Sequence, residues 1–181
     1  MRAWLRAPGS LTARLRAHGL VEIQVQHQGS QALWAPEQHD LHCLSGHVRE
    51  VVLLLDGMPV VWARSATSHR ALKGPWKALT GLGNRPLAEL LFLGRHVCRE
   101  PLQTHHVPRH GRIEQRLHAA WQQLHPDQPD AATPRWARSS VFWRDGQPLR
   151  VMEAFAPWIT RLDADRSPMP YTCTHAFFTP Y

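Results

Sequence analysis

The chain has 181 residues, 43% of them hydrophobic, which is enough for one well-filled core and makes a single domain over 1–181 the default organisation. No apolar run approaches the roughly 20 residues that a membrane-spanning helix needs, and the opening segment lacks the apolar core of a secretory leader. A cytoplasmic protein without membrane insertion is expected. The formal charge of +7 fits a nucleic-acid surface, an acidic substrate or compositional bias, but the arginines are scattered and do not interleave with aromatics as a stacking platform requires, which argues against nucleic acid.

Cys43, Cys98 and Cys173 are odd in number and far apart, with no C-x-x-C pair, as expected in a reducing compartment. Thirteen histidines raise a metal hypothesis, with His39, His42 and His47 in one group and His105, His106 and His110 in another. Neither group has the H-E-x-x-H spacing or a cysteine partner, so no metal is expected.

In chain order, Ser10 suits an N-cap for a short helix that runs from Leu11 to near Gly19, a C′ glycine. Val21, Ile23 and Val25 then alternate with polar residues as in a half-exposed antiparallel strand. Residues 27–46 lack periodicity and read as a connection. Val48 to Thr67 is a central hairpin, two β-rich runs around Asp56-Gly57, a dipeptide that tolerates a tight turn with positive φ. Two helical pieces follow, Pro75 to Thr80 and Pro86 to Phe92, separated by a glycine-containing turn; backbone N–H groups near Leu87 are left free to receive an anion. A strand interrupted at Pro101 is expected within Gly94 to Val107, and an amphipathic helix from Gly111 to Leu124, with Leu117, Ala120 and Trp121 in its apolar stripe. His125 to Pro134 reads as a loop. Arg135 to Pro157 repeats the hairpin design around Asp145-Gly146, and 158–181 is a tail without clear periodicity.

Two charged residues stand on apolar strand faces. Arg49 alternates with Val51, Leu53 and Leu55, and Glu153 with Leu149, Val151 and Phe155. A guanidinium cannot neutralise itself by losing its proton, so burial demands an anionic partner, whereas a carboxylate buried without a cation or donor has its ionised form disfavoured. Either the two pair with each other across the sheet, or each contacts a ligand; alternation does not separate these readings.

Three blocks, Val48–Ser65 (VREVVLLLDGMPVVWARS), Leu82–Phe92 (LGNRPLAELLF) and Arg138–Pro157 (RSSVFWRDGQPLRVMEAFAP), together resemble chorismate pyruvate-lyase in order and spacing. The resemblance runs from about Gly9 to Pro157. It implies an α+β fold, a single antiparallel β-sheet covered by helices, with ligand buried under helical flaps. It also implies conversion of chorismate to 4-hydroxybenzoate and pyruvate for ubiquinone biosynthesis, with no cofactor, by a monomer. Carried over by motif, the substrate-binding residues are Arg49, Glu153 and the main chain at Leu11 and Leu87. Arg49 would anchor the ring carboxylate. Glu153 would lie near the ether oxygen that becomes the phenol, as a protonated acid assisting departure of the enolpyruvyl group. The alternative is a non-catalytic small-molecule binding module of the related fold attached to transcription regulators, which binds an aromatic carboxylate without reacting.

Overall fold

The computed structural model describes residues 1–92, 96–108, 110–124 and 133–162. The two Asp-Gly hairpins form its centre: β2 (Ser45–Leu55) turns into β3 (Met58–Thr67), and β6 (Trp136–Arg144) into β7 (Gln147–Phe155). In both turns the aspartate and the glycine have positive φ, 49° and 79° at Asp56-Gly57, 47° and 70° at Asp145-Gly146. That is the pair a type I′ turn requires. The hairpins lie side by side through β3 and β7, and with β1 (Val21–Ala32) and β4 (Val97–Arg99) the antiparallel sheet has the order β1-β2-β3-β7-β6-β4, with β5 (Gln103–His106) also pairing β6. The break between β4 (Val97–Arg99) and β5 falls at Pro101, which has no N–H to give a ladder.

Strand β1 (Val21–Ala32) is longer than its alternating start implies. A register shift between Val25 and His27 is followed by a run in which polar residues occupy both faces, so the pairing continues to Ala32 opposite Ser45 without a hydrophobic period to reveal it. The rest of the expected connection holds α3 (Ala35–Leu41), whose Glu37 accepts the Trp34 N–H at 2.8 Å.

Each face of the sheet carries its own cover. On the back, α3 and α6 (Arg112–Leu124) lie over Val52, Leu54, Trp62 and Ala154, and Leu117, Ala120 and Trp121 of α6 are buried as its apolar stripe predicts. On the front, α1 (Arg2–Leu5) and α2 (Leu11–Arg16) close one end, with Trp4, Leu11 and Leu15 packed on Val51, Leu53 and Phe155. A second front cluster, Trp76, Leu79, Leu91, Phe142 and Leu149, closes the other end beneath α4 (His69–Leu72) and α5 (Ala88–Phe92).

The short helices depart from expectation in detail. Ser10 caps α2 by accepting the Ala13 N–H, but the helix ends at Arg16 and Gly19 is not its C′ residue. Gly19 instead meets the β2–β3 turn, where an added Cβ would sit 2.2 Å from Asp56 Oδ2 and would have to displace the carboxylate that accepts the Leu20 N–H. The piece expected over Pro75 to Thr80 is a 3-10 turn, Lys77–Gly81, and Ser68 caps α4, which its four residues leave without a readable period. The segment 125–132 and residues 163–181 lie outside the described residues; Pro157–Arg161 forms a 3-10 turn.

Candidate active site

Between the two front clusters lies a pocket to which the sheet, α2, the turn before α5 and α5 itself contribute. Its floor is low because small residues, Ala63, Ser65 and Ser140, occupy the middle of the sheet, where the clusters at either end carry large side chains. All four residues singled out from sequence line it: Leu11, Arg49, Leu87 and Glu153.

Arg49 and Glu153 do not pair with each other. Two strand spacings separate β2 from β7, about 10 Å between backbones, and each side chain has found another neighbour. Arg49 is 2% exposed, and its Nη2 donates to the carbonyls of Gly83 at 2.8 Å and Arg85 at 3.2 Å, both in the turn that leads into α5. Its Nε is buried without a hydrogen-bond partner, and no carboxylate of the described residues reaches it. Burial pushes the Arg49 guanidinium down to about 10, so it remains a cation at neutral pH but an uncompensated one.

Glu153 pairs instead with Arg138, its register partner on β6, at 2.5 Å from Nε. The same arginine sends Nη1 to the carbonyls of Trp4 at 3.0 Å and Ala7 at 2.9 Å, so it ties the segment leading into α2 to the sheet. A third arginine, Arg99 of β4, lines the pocket with its guanidinium carbon 5.0 Å from the ring centre of Phe142. Burial first, then the charge of Arg138, pushes Arg99 down to about 10, against the opposing pull of Glu153. Arg138 and Arg99 are missing from the sequence expectation. The rule that found Arg49 applies to them equally, since Arg138 alternates with Ser140 and Phe142, and Arg99 with Val97.

Arg64 also borders the pocket, but its guanidinium is committed to Glu37 and Glu50 in a buried cluster. The charge within the pocket is therefore three guanidinium groups against one carboxylate, a surplus of two positive charges. Leu11 is the first residue of α2 and Leu87 precedes α5, positions whose N–H groups have no acceptor within their own helix. Elsewhere, the expected histidine groups stay apart from any such centre: His39 is exposed beside Asp40, His47 is buried on β2, and His105 meets Ser139 Oγ at 2.6 Å. Among the described residues no group of three or more His, Cys, Asp or Glu is placed to hold a metal ion.

Fold and pocket together define a class: an α+β ligand-pocket domain built on one open antiparallel sheet with helices over it. The effector domain of PhnF from Mycobacterium smegmatis shares that fold, with a TM-score of 0.54 at 16% identity over 82% of this chain and 89% of that one. In sequence, the family model described as chorismate lyase matches residues 1–162. The probable chorismate pyruvate-lyase of Albidiferax ferrireducens is 42% identical over 164 residues, covering 86% of this chain and 82% of that protein. Its counterpart in an Azoarcus species is 39% identical over 173 residues, covering 91% and 88%. The chain belongs to the chorismate lyase family.

Proposed function

We propose that this protein is a chorismate pyruvate-lyase, which releases pyruvate from chorismate and leaves 4-hydroxybenzoate for ubiquinone biosynthesis in the cytoplasm. The observation that carries the reading is the charge of the pocket: chorismate has two carboxylates, and the surplus of two positive charges lining the pocket matches a dianion. Membership of the lyase family supports the same substrate. Among the described residues no helix is long and apolar enough to cross a membrane.

Arg49 receives the ring carboxylate. Its Nη2 is held by two carbonyls, which fixes the plane of the guanidinium, while the unmade Nε–H faces the cost of burial until an anion arrives. The main-chain N–H groups of Leu11 and Leu87 complete that carboxylate's hydrogen bonds from the two covering segments. Glu153 stands about 10 Å along the sheet, at the far end of the ring.

Atom balance corrects the expected partner of Glu153. The phenol oxygen of 4-hydroxybenzoate is the ring hydroxyl already para to the carboxylate, whereas the ether oxygen leaves as the ketone oxygen of pyruvate. The bond that breaks joins that ether oxygen to the neighbouring ring carbon. The hydrogen on the hydroxyl-bearing carbon is lost, its electron pair completes the aromatic ring, and the enol methylene gains a hydrogen to become methyl. A cyclic transfer of that hydrogen to the methylene balances every atom without an external base. Glu153, ion-paired to Arg138, then accepts a hydrogen bond from the ring hydroxyl rather than donating one to the ether. The protein's contribution is orientation: it holds the side chain folded over the ring so that methylene and hydrogen meet.

The test is incubation of the purified protein with chorismate in the presence of EDTA, with 4-hydroxybenzoate followed by chromatography and pyruvate by a coupled assay. Equimolar products are expected. Saturable binding of chorismate without turnover would assign the pocket to a binding module, and absence of both would overturn the reading.

A further inference from the structure

Three arginines share the pocket, and they differ in what already holds them. Arg49 lends one nitrogen to two carbonyls, and Arg138 is occupied by Glu153 and by the Trp4 and Ala7 carbonyls. The Arg99 side chain has no hydrogen bond or ion pair with any described residue. Its Nε is buried and unpartnered, and its guanidinium lies against the ring of Phe142. A half-buried cation with an unpartnered Nε is favoured by an anion that enters the pocket.

From this we infer that Arg99 is the binding site for the carboxylate of the enolpyruvyl side chain, a second anion subsite distinct from the ring-carboxylate subsite at Arg49. The inference rests on the proposed lyase reading and adds to it the residue that distinguishes substrate from product. Sheet geometry separates the two subsites. Arg49 on β2 and Arg99 on β4 are four strand spacings apart, about 19 Å between backbones, with two long side chains reaching inward across that span. They also stand in different rows of the same face: Arg49 is in register with Ser65 and, through it, Val151, whereas Arg99 is in register with Phe142 and, through it, Leu149. In strand order Glu153, on β7, lies between them, although its own row, with Ala63 and Arg138, is on the other side of Arg49's row from that of Arg99. With a ring anchored at Arg49 and its hydroxyl at Glu153, the enolpyruvyl group on the carbon next to the hydroxyl reaches Arg99 when it is turned toward the β6–β4 edge. Arg138 is also on that side, but its guanidinium is spent on Glu153 and the N-terminal segment.

This placement has a consequence for turnover. Chorismate satisfies both subsites, but 4-hydroxybenzoate, which lacks the side chain, satisfies Arg49 and leaves Arg99 bare once pyruvate has gone. Arg99 thus favours substrate over aromatic product.

The test compares two ligands in two variants. For Arg99→Gln, kcat/KM for chorismate should fall by about 30-fold or more, as expected when one partner of a buried charge pair is removed, while the affinity for 4-hydroxybenzoate stays within about 2-fold of wild type. Retained 4-hydroxybenzoate binding also establishes that the pocket is folded. Arg99→Lys, which keeps the charge, should recover part of the loss with chorismate. Equal losses for both ligands in both variants, or undiminished kcat/KM for chorismate in Arg99→Gln, would overturn the inference while leaving the lyase reading intact. If the wild-type protein neither binds nor converts chorismate, the reading and the inference fall together.

Discussion

Arg49 and Arg64 sit on neighbouring strands of one sheet, both about as buried as a charged residue becomes, and they resolve that burial in opposite ways. Arg64, on the back face, is enclosed: Glu37 takes Nε and Nη2 at 2.6 and 2.9 Å, Glu50 takes Nη1 at 2.6 Å, and Trp34 covers the guanidinium at 3.8 Å. Burial alone would lower its pKa, but the hydrogen bonds and charges of Glu37 and Glu50 outweigh it and the net shift is upward. Arg49, on the front, has two carbonyls and no carboxylate among the described residues, and its shift is downward. A guanidinium given its counter-charge by the chain serves the fold. One denied it is, on the proposed reading, a site for an anion from outside.

The largest effect is expected where the closed arrangement is broken. Arg64→Ala leaves Glu37 and Glu50 buried without their cation and should cost about 3–5 kcal/mol of folding stability in urea unfolding. Removal of Arg138 is expected to be nearly as severe, because it unpairs Glu153 and releases the carbonyls of Trp4 and Ala7, so Arg138→Ala should lose both stability and turnover. Next comes Glu153→Gln, which keeps the shape of the group proposed to face the ring hydroxyl but removes its charge. It should lower kcat by about 100-fold with a modest change in stability, and unchanged turnover in a folded variant would remove Glu153 from the chemistry.

The smallest effect concerns His47, which is buried on β2 two residues before Arg49, with an unpartnered Nε2. Burial chiefly, then His69, His27 and Arg49, holds its pKa below the usual 6.5. The unfolded chain binds the extra proton first, so stability is full above about pH 6.5 and declines as pH falls below it, by at most about 1.4 kcal/mol per pH unit. His47→Gln should flatten that limb of a plot of unfolding free energy against pH.

Alternation by twos makes the open arginine visible in the sequence, since Arg49 interrupts the face of Val51, Leu53 and Leu55. The two Asp-Gly turns and the stripe of α6 are legible for the same reason: their signals are local. The partner of Glu153 is not, because it depends on β6 lying beyond β7 in register, a pairing that positions Arg138 opposite Glu153 only once the hairpin is closed. Glu37 comes from a segment whose polar residues carry no period, so its ion pair with Arg64 is invisible until β1 has been extended to Ala32 and α3 laid across the back face. Whether a buried arginine is closed or open is therefore a property of the assembled sheet, although its position is written in the strand.

That distinction is tested most directly by unfolding the wild type and Arg49→Met in urea, each with and without 4-hydroxybenzoate. An open arginine predicts that Arg49→Met is at least as stable as wild type without ligand, and that the ligand stabilises only the wild type. A loss of about 3 kcal/mol in the ligand-free variant, the cost seen when a closed ion pair is broken, would contradict the account, as would equal stabilisation of both proteins by the ligand.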